Sequence, residues 1–265
     1  MKYGFIGLGS MASAIIKGMY NSKQFSATDI YGYNRTVAKT NHLADNYGLI
    51  ASDSIKGIMT NADVIVLAIQ PQVLPEVLLE VQKYIKENHL IISVAAGKSI
   101  DYIQQNIQAD TPIIRVMPNI NAIVGASTTC YSISSTVNEQ HKEIVESLFG
   151  TIGSIIELPE NLFTIFSAIG GASPAFTYLY IDSLARAAVR EGMDKKMALE
   201  IAASSVLGSA KMILESDEHP WELVDQVCSP GGTTIQGVTS LQNDHFASTI
   251  YDAVTAVIKK DSTLS

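Results

Sequence analysis

Residues 4 to 14 read GFIGLGSMASA, which puts Gly7, Gly9 and Ala12 in the spacing G-x-G-x-x-A. A glycine at the first position permits a tight strand-to-helix turn. One at the second lets bare backbone approach a pyrophosphate, and a small third residue keeps the helix close to the strand. The string is weak alone and gains weight from the apolar strand before it and the helical pattern after it. Gly7, Leu8, Gly9, Ser10 and Met11 are therefore expected to bind a dinucleotide.

The end of the second strand should select which one. An NAD site usually carries an acid there, on the ribose hydroxyls, and that acid repels a 2′-phosphate. Here YGY is followed by Asn34, Arg35 and Thr36. Arg35 offers a planar charged fork, and Asn34 and Thr36 offer donors, so NADPH is expected, with NADH weaker. Two further strand ends, AIQPQ with Ala68, Gln70 and Pro71 and AAGKS with Ala95 and Gly97, are expected to line the cofactor. Pro118 and Asn119 of RVMPN should lie beside the nicotinamide.

Later in the chain, SPGGTT at 229 to 234 sets Pro and two glycines before a helix, where successive N–H groups are free. That is an anion nest suited to a carboxylate, with the hydroxyls of Ser229, Thr233 and Thr234 nearby; a plain Ser or Thr N-cap is the alternative. GGASPAF, 170 to 176, gives a flexible turn with Pro174 at the start of a helix.

The elements that must position these residues fall into two sets. KYGFI, DIYGYN, DVIVLAI, LIISVAAG and IIRVMPN read as strands, alternating with helical stretches such as MASAIIKGMYNS and LPEVLLEVQKYIKEN. This pattern implies a parallel sheet with helices on both faces, extended by STTCYSI, a helix from about 138 to 149, and SIIEL. Beyond Pro159 only helical stretches follow. The fold expected is an α/β Rossmann-like domain, 1–158, followed by an all-α domain, 159–265. Gly192 reads as a helix C-cap and Asp194 as the next N-cap. In IAASSVLGSAKMIL small and apolar residues cover nearly the whole circumference, so a second subunit is expected to cover that helix.

The 265 residues are 47% apolar and 17% charged, and the net charge of -8 argues against nucleic acid as a partner. No uninterrupted apolar run reaches the roughly 20 residues of a membrane span, and the N-terminus lacks the pattern of a signal peptide. A cytoplasmic protein without a membrane partner is expected. Cys130 and Cys228 lie far apart and read as two buried thiols; His42, His89, His141, His219 and His245 show no metal-ligand spacing, so no metal is expected.

Together GFIGLGSMASAI, AIQPQ, SVAAGKSI, RVMPN, SPAFTYLYIDSLA, EIAASSVLGSAKMILES and DQVCSPGGTTIQGVTSL resemble Δ1-pyrroline-5-carboxylate reductase, from the first strand to the last helix. The resemblance implies a Rossmann domain, a helical domain interlocked with that of a second subunit, larger assemblies of dimers in some members, and reduction of a cyclic imine bearing a carboxylate by NADPH. It places Met117, Ser229, Gly231, Gly232, Thr233 and Thr234 on the substrate. Thr234 is the candidate to hydrogen-bond the imine nitrogen or relay its proton, with Ser173 second. His219, Asp217 and Glu218 read as surface residues. The chain departs from the family at Gln70, where Lys is common, in MPNINA at 117 to 122, and in the Gly171-Ala172-Ser173-Pro174 turn.

Four other readings compete. A β-hydroxyacid dehydrogenase shares GLGSM but would carry a lysine early in its helical domain, and SAIGGASPAFTYLYIDSLA has none. A serine hydrolase would need a strand and a final Gly around Ser173. A non-catalytic NADPH-binding regulatory paralogue, or a reductase of another cyclic imine, is the remaining alternative.

Overall fold

The computed structural model describes residues 1–107 and 110–263; the last two residues of the expected second domain lie outside them. Strands Tyr3–Ile6 (β1), Ile30–Tyr33 (β2), Ile50–Ala51 (β3), Val64–Leu67 (β4), Leu90–Ser93 (β5), Ile113–Met117 (β6), Ser127–Ile133 (β7) and Gly153–Glu157 (β8) form one sheet in the order β3-β2-β1-β4-β5-β6-β7-β8. Helices Ser10–Ser22 (α1), Val37–Tyr47 (α2), Ile55–Asn61 (α3), Leu74–Val81 (α4), Ile100–Gln105 (α5) and Glu139–Gly150 (α6) connect them.

Side chains one residue apart on a strand face opposite sides, and both sides are covered. Tyr3 and Phe5, Val64 and Val66, Leu90 and Ile92 join the core that holds Ala12, Ile15 and Ile16 of α1. Ile6, Ile65, Leu67 and Ile91 join the opposite core, with Leu74 and Leu78 of α4 and Ile103 of α5. Burial on both faces is why these strands read as continuous apolar runs.

Strand order reverses between β1 and β4, and the loops that leave their carboxyl ends diverge there. Gly7 sits at this switch point with φ +93. A Cβ on it would lie 2.4 Å from the Ala68 carbonyl oxygen. Only glycine meets both constraints without strain.

The sheet is parallel from β3 to β6, as expected, but β7 runs antiparallel to β6. The short connection 118–126 cannot carry the crossover that a parallel pair requires. α6 does supply one, and β8 is parallel to β7. The sequence reading also passed over the two-residue edge strand β3, too short to show a period.

The compact units are 1–171 with 258–265, and 172–257. The expected division after 158 falls inside the first unit, because Phe163 and Phe166 of the helix Phe163–Phe166 (α7) pack on buried Cys130 of β7, and Asn119 Nδ2 donates to the Gly170 carbonyl at 2.8 Å. A π-helical stretch, Ser167–Ala172, crosses the boundary.

In the second unit Ser173–Arg190 (α8) and Lys195–Glu215 (α9) pair through Ala185, Ala198 and Ala202, small residues that let backbones approach. Gly192 follows the end of α8 at φ +98, and Met193 N–H donates to the Ala188 carbonyl at 3.0 Å; Asp194 then caps α9 through the N–H groups of Lys196 and Met197. Pro220–Val227 (α10), Thr233–Asn243 (α11) and Phe246–Asp261 (α12) follow, the last turn of α12 being counted with the first unit. Ala198 and Ala202 are the buried residues of α9, while Met197, Ile201, Leu207, Met212 and Ile213 are exposed and Leu214 is 84% exposed. Residues Glu160–Arg190 and Lys195–Glu215 are also long and apolar enough, by length and composition, to cross a membrane, although each is interrupted by polar residues.

Candidate functional site

A cleft of about 350 Å³ opens at the carboxyl ends of β1, β2 and β4. Gly7, Leu8, Gly9, Asn34, Arg35, Thr36, Ala68 and Gln70 all line it, so one cleft gathers three strand ends that the sequence reading selected separately. Nothing lies within 4 Å of where a Cβ on Gly9 would be, and Gly9 caps α1 with no side chain. The first-turn N–H groups of α1 are therefore left for a ligand.

Asn34, which lines the cleft, also has a structural task. Its Oδ1 accepts from Leu8 N–H at 3.0 Å, and its Nδ2 donates to the Thr36 carbonyl at 3.3 Å. It holds the glycine turn against the end of β2. Arg35 is 71% exposed, with Glu76 Oε2 3.9 Å from its Nη1 across the cleft. Lys39, one turn into α2, lines the same wall. Sequence reasoning passed over Lys39, although its place one helical turn beyond Arg35 was the signal; it brings a cation to a cleft where residue 70 is Gln.

A second cleft, about 430 Å³, lies along the ends of β5 and β6. Met11, Ala95, Gly97, Met117 and Pro118 line it, with Lys98 and Ser99 of the expected AAGKS stretch and Arg115 of RVMPN, and so do Tyr102, Glu160 and Phe163, which were not expected. Arg115 carried a signal as the one charge in IIRVM. Glu160 carried none, since only the fold brings it to β6. Arg115 Nη1 is 2.9 Å from Glu160 Oε1, and its guanidinium lies over the Phe163 ring at 4.4 Å. Lys98 lies over the Tyr102 ring at 4.6 Å.

Three residues expected on the cofactor line neither cleft. Asn119 is 5% exposed; its Oδ1 accepts from Asn121 N–H, its Nδ2 donates to Gly170, and its N–H donates to Ser127 Oγ. Burial turns it into a brace for the loop behind Pro118. Ser10 lines an adjoining depression that shares Leu8, Gly9 and Lys39 with the first cleft, and Pro71 lies next to Gln70, which lines that cleft.

In the second unit, Gly231 has φ +71 and Gly232 N–H donates to the Ser229 carbonyl at 2.9 Å. A Cβ on Gly232 would lie 2.4 Å from Ser229 Oγ. α11 starts at Thr233, and its N-cap is Gly232, with no side-chain cap bond. The alternative of a Ser or Thr N-cap is thus not what forms. Ser229, Thr233 and Thr234 are exposed at this helix start, and Ser173 is the first residue of α8.

Neighbouring groups have structural roles. His219 caps α10: its Nδ1 accepts from Trp221 N–H, and its own N–H donates to Glu222. Glu218 accepts from Gln226. Cys130 is fully buried, and burial pushes its thiol up to about 12, which removes it as a nucleophile. Cys228 is only half-buried, contrary to expectation, because it ends α10 beside the exposed loop. Among the described residues no group of three His, Cys, Asp or Glu could hold a metal ion.

Residues 160–264 match the family model described as pyrroline-5-carboxylate reductase dimerisation, and residues 2–97 match that of NADP oxidoreductase, coenzyme F420-dependent. The chain is 36% identical to the pyrroline-5-carboxylate reductase of Escherichia coli over 264 residues, covering 100% of this chain and 98% of the relative. Its fold is similar to the solved pyrroline-5-carboxylate reductase of Coxiella burnetii, at 30% identity and TM-score 0.95, covering 100% and 98% of the two chains. The Plasmodium falciparum pyrroline carboxylate reductase, solved with NADP bound, aligns at 30% identity and TM-score 0.87, covering 100% and 98%.

Proposed function

We propose, from the premise that this chain belongs to the pyrroline-5-carboxylate reductase family, that it reduces 1-pyrroline-5-carboxylate to L-proline with NADPH as the reductant, the last step of proline biosynthesis. The single observation that carries the cofactor is the cleft at the β1/β4 switch point, with an open backbone at Gly9 and with Arg35 and Lys39 on one wall. The residues fit a phosphorylated dinucleotide: the bare N-terminus of α1 suits the pyrophosphate, and the two cations suit a 2′-phosphate. NADPH, when bound, supplies the hydride.

The protein's own residues bind, orient and protonate. The clefts of the first unit hold the cofactor, with Met117 lining the second cleft as the expected substrate contact. The nest of the second unit, Ser229 to Thr234, holds the substrate carboxylate through hydroxyls and the first-turn N–H groups of α11, since its cap position is a glycine and Gly232 N–H is engaged within the nest by the Ser229 carbonyl. Thr234 Oγ1 donates to the imine nitrogen or relays its proton, and Ser173 is the second candidate. An iminium is the better acceptor, so the proton must arrive before or with the hydride.

The helical domain, taken as 159–265, dimerises: the apolar surface of α9 has no cover within its own unit, and the matching family model is a dimerisation domain. The same partner surface accounts for two helices of membrane-like composition in what we assign as a cytoplasmic homodimer.

The test follows NADPH absorbance on adding pyrroline-5-carboxylate, with the solution mass measured in parallel. Rapid oxidation by a dimer or a multiple of dimers is expected; NADPH binding without turnover would leave the regulatory paralogue. Thr234→Ala should lower kcat at least about tenfold while NADPH affinity stays within twofold. An unchanged kcat removes Thr234 from the chemistry.

A further inference from the structure

The contacts of Glu160 point beyond the residues that line the cofactor. One oxygen, Oε1, accepts from Ile100 N–H at 2.9 Å and from Arg115 Nη1 at 2.9 Å. Ile100 is the first residue of α5, immediately after the Ala95 to Ser99 loop. Arg115 lies on β6, two residues before Met117, and faces the same side of the sheet. Both the loop and Met117 with Pro118 line the second cleft. A single carboxylate therefore joins the two cofactor-side strand ends to the helical segment that leads to Ser173.

The pair is sheltered: the side chains of Arg115 and Glu160 are 11% and 28% exposed, and Phe163 covers the guanidinium. In such surroundings a charge-assisted hydrogen bond is stronger and less screened than at the surface. A second tie, Asn119 Nδ2 to the Gly170 carbonyl, joins the same two segments. Without the Glu160 contacts the α5 N-terminus keeps its Ser99 cap, which accepts from Tyr102 N–H, but loses its tie to β6.

We infer that Glu160 is a positioning residue: it acts through Ile100 N–H and Arg115 to hold the second cleft in the shape that receives the nicotinamide end of the cofactor. This rests on the reductase reading above. Glu160 makes no contact with the first cleft, so the adenosine end is independent of it.

The experiment titrates NADPH and 2′-phospho-ADP-ribose, which lacks the nicotinamide, onto the full chain and onto Glu160→Ala and Glu160→Gln, with steady-state kinetics on each. Glu160→Ala should weaken NADPH about tenfold, the change that one charge-assisted hydrogen bond represents, and leave 2′-phospho-ADP-ribose within twofold. Glu160→Gln keeps an oxygen for Ile100 N–H but loses the charge facing Arg115, and should weaken NADPH about threefold to fivefold with kcat reduced in parallel. Equal weakening of both ligands would mean general damage and overturn the inference; so would unchanged NADPH affinity in Glu160→Gln, the variant that decides if Glu160→Ala does not fold. A parent chain that binds NADPH but leaves pyrroline-5-carboxylate unreduced would refute the reductase reading instead, and the ratio of the two affinities would still decide the role of Glu160.

Discussion

Replacing Arg35 by alanine should weaken NADPH and leave NADH nearly unchanged. A guanidinium–phosphate hydrogen bond contributes about 1.5–3 kcal/mol, and the 71% exposure of Arg35 places it at the lower end, near ~1.5 kcal/mol, because water and salt screen it. Binding of a 2′-phosphate also displaces Glu76, which sits 3.9 Å from Arg35 in an exposed pair of the kind that contributes about 0–1 kcal/mol. About 0.5 kcal/mol is lost with it, leaving a net ~1 kcal/mol, or about fivefold in Kd. Lys39 remains on the same wall, so the loss is partial, and the double variant Arg35→Ala, Lys39→Ala should lose more than Arg35→Ala alone. The assay is nicotinamide fluorescence on binding, for NADPH and NADH, at low and at physiological salt; the NADPH penalty of Arg35→Ala should shrink as salt rises. Equal losses for the two cofactors would refute the assignment of Arg35 to the 2′-phosphate.

Two stability predictions follow from the same framework. Gly7→Ala forces a side chain onto φ +93, at about 1–2 kcal/mol, and drives its Cβ to 2.4 Å from the Ala68 carbonyl, at about 1–3 kcal/mol more. Chemical denaturation should show about 3 kcal/mol lost, and a loss below ~1 kcal/mol would show that the turn relaxes. His89 is buried, its Nδ1 accepts from Lys86 N–H, and burial first and the Lys86 charge second hold its pKa below the ordinary value. The native ring stays neutral where the unfolded chain already binds a proton, so its contribution is fully present above about pH 6.5 and is lost as pH falls from there toward the lowered native pKa. His89→Asn should flatten the stability profile in that window, and an unchanged slope would show that His89 does not set it.

Where a property depends on local backbone chemistry or period, the sequence determined it. The glycine turn, the absence of an acid after β2, the capping at Gly192 and Asp194, and the glycine-rich start of α11 were all legible, because each depends on neighbours a few residues away. The two-sided core was legible too, since apolar β-branched runs between helical patterns admit few other arrangements. The uncovered surface of α9 was read from composition alone. Tertiary structure decided what depends on which segments meet. It turned β7 antiparallel, through a connection too short to cross over. It carried residues 160–171 onto the first unit, moving the compact boundary past Phe163 and Phe166. It buried Asn119, whose amide reads in sequence like any other donor. Above all it placed Glu160 on Arg115 and Ile100, residues 45 and 60 positions away in sequence. A lone glutamate after a proline carries no local pattern, and only packing gives its carboxylate a partner.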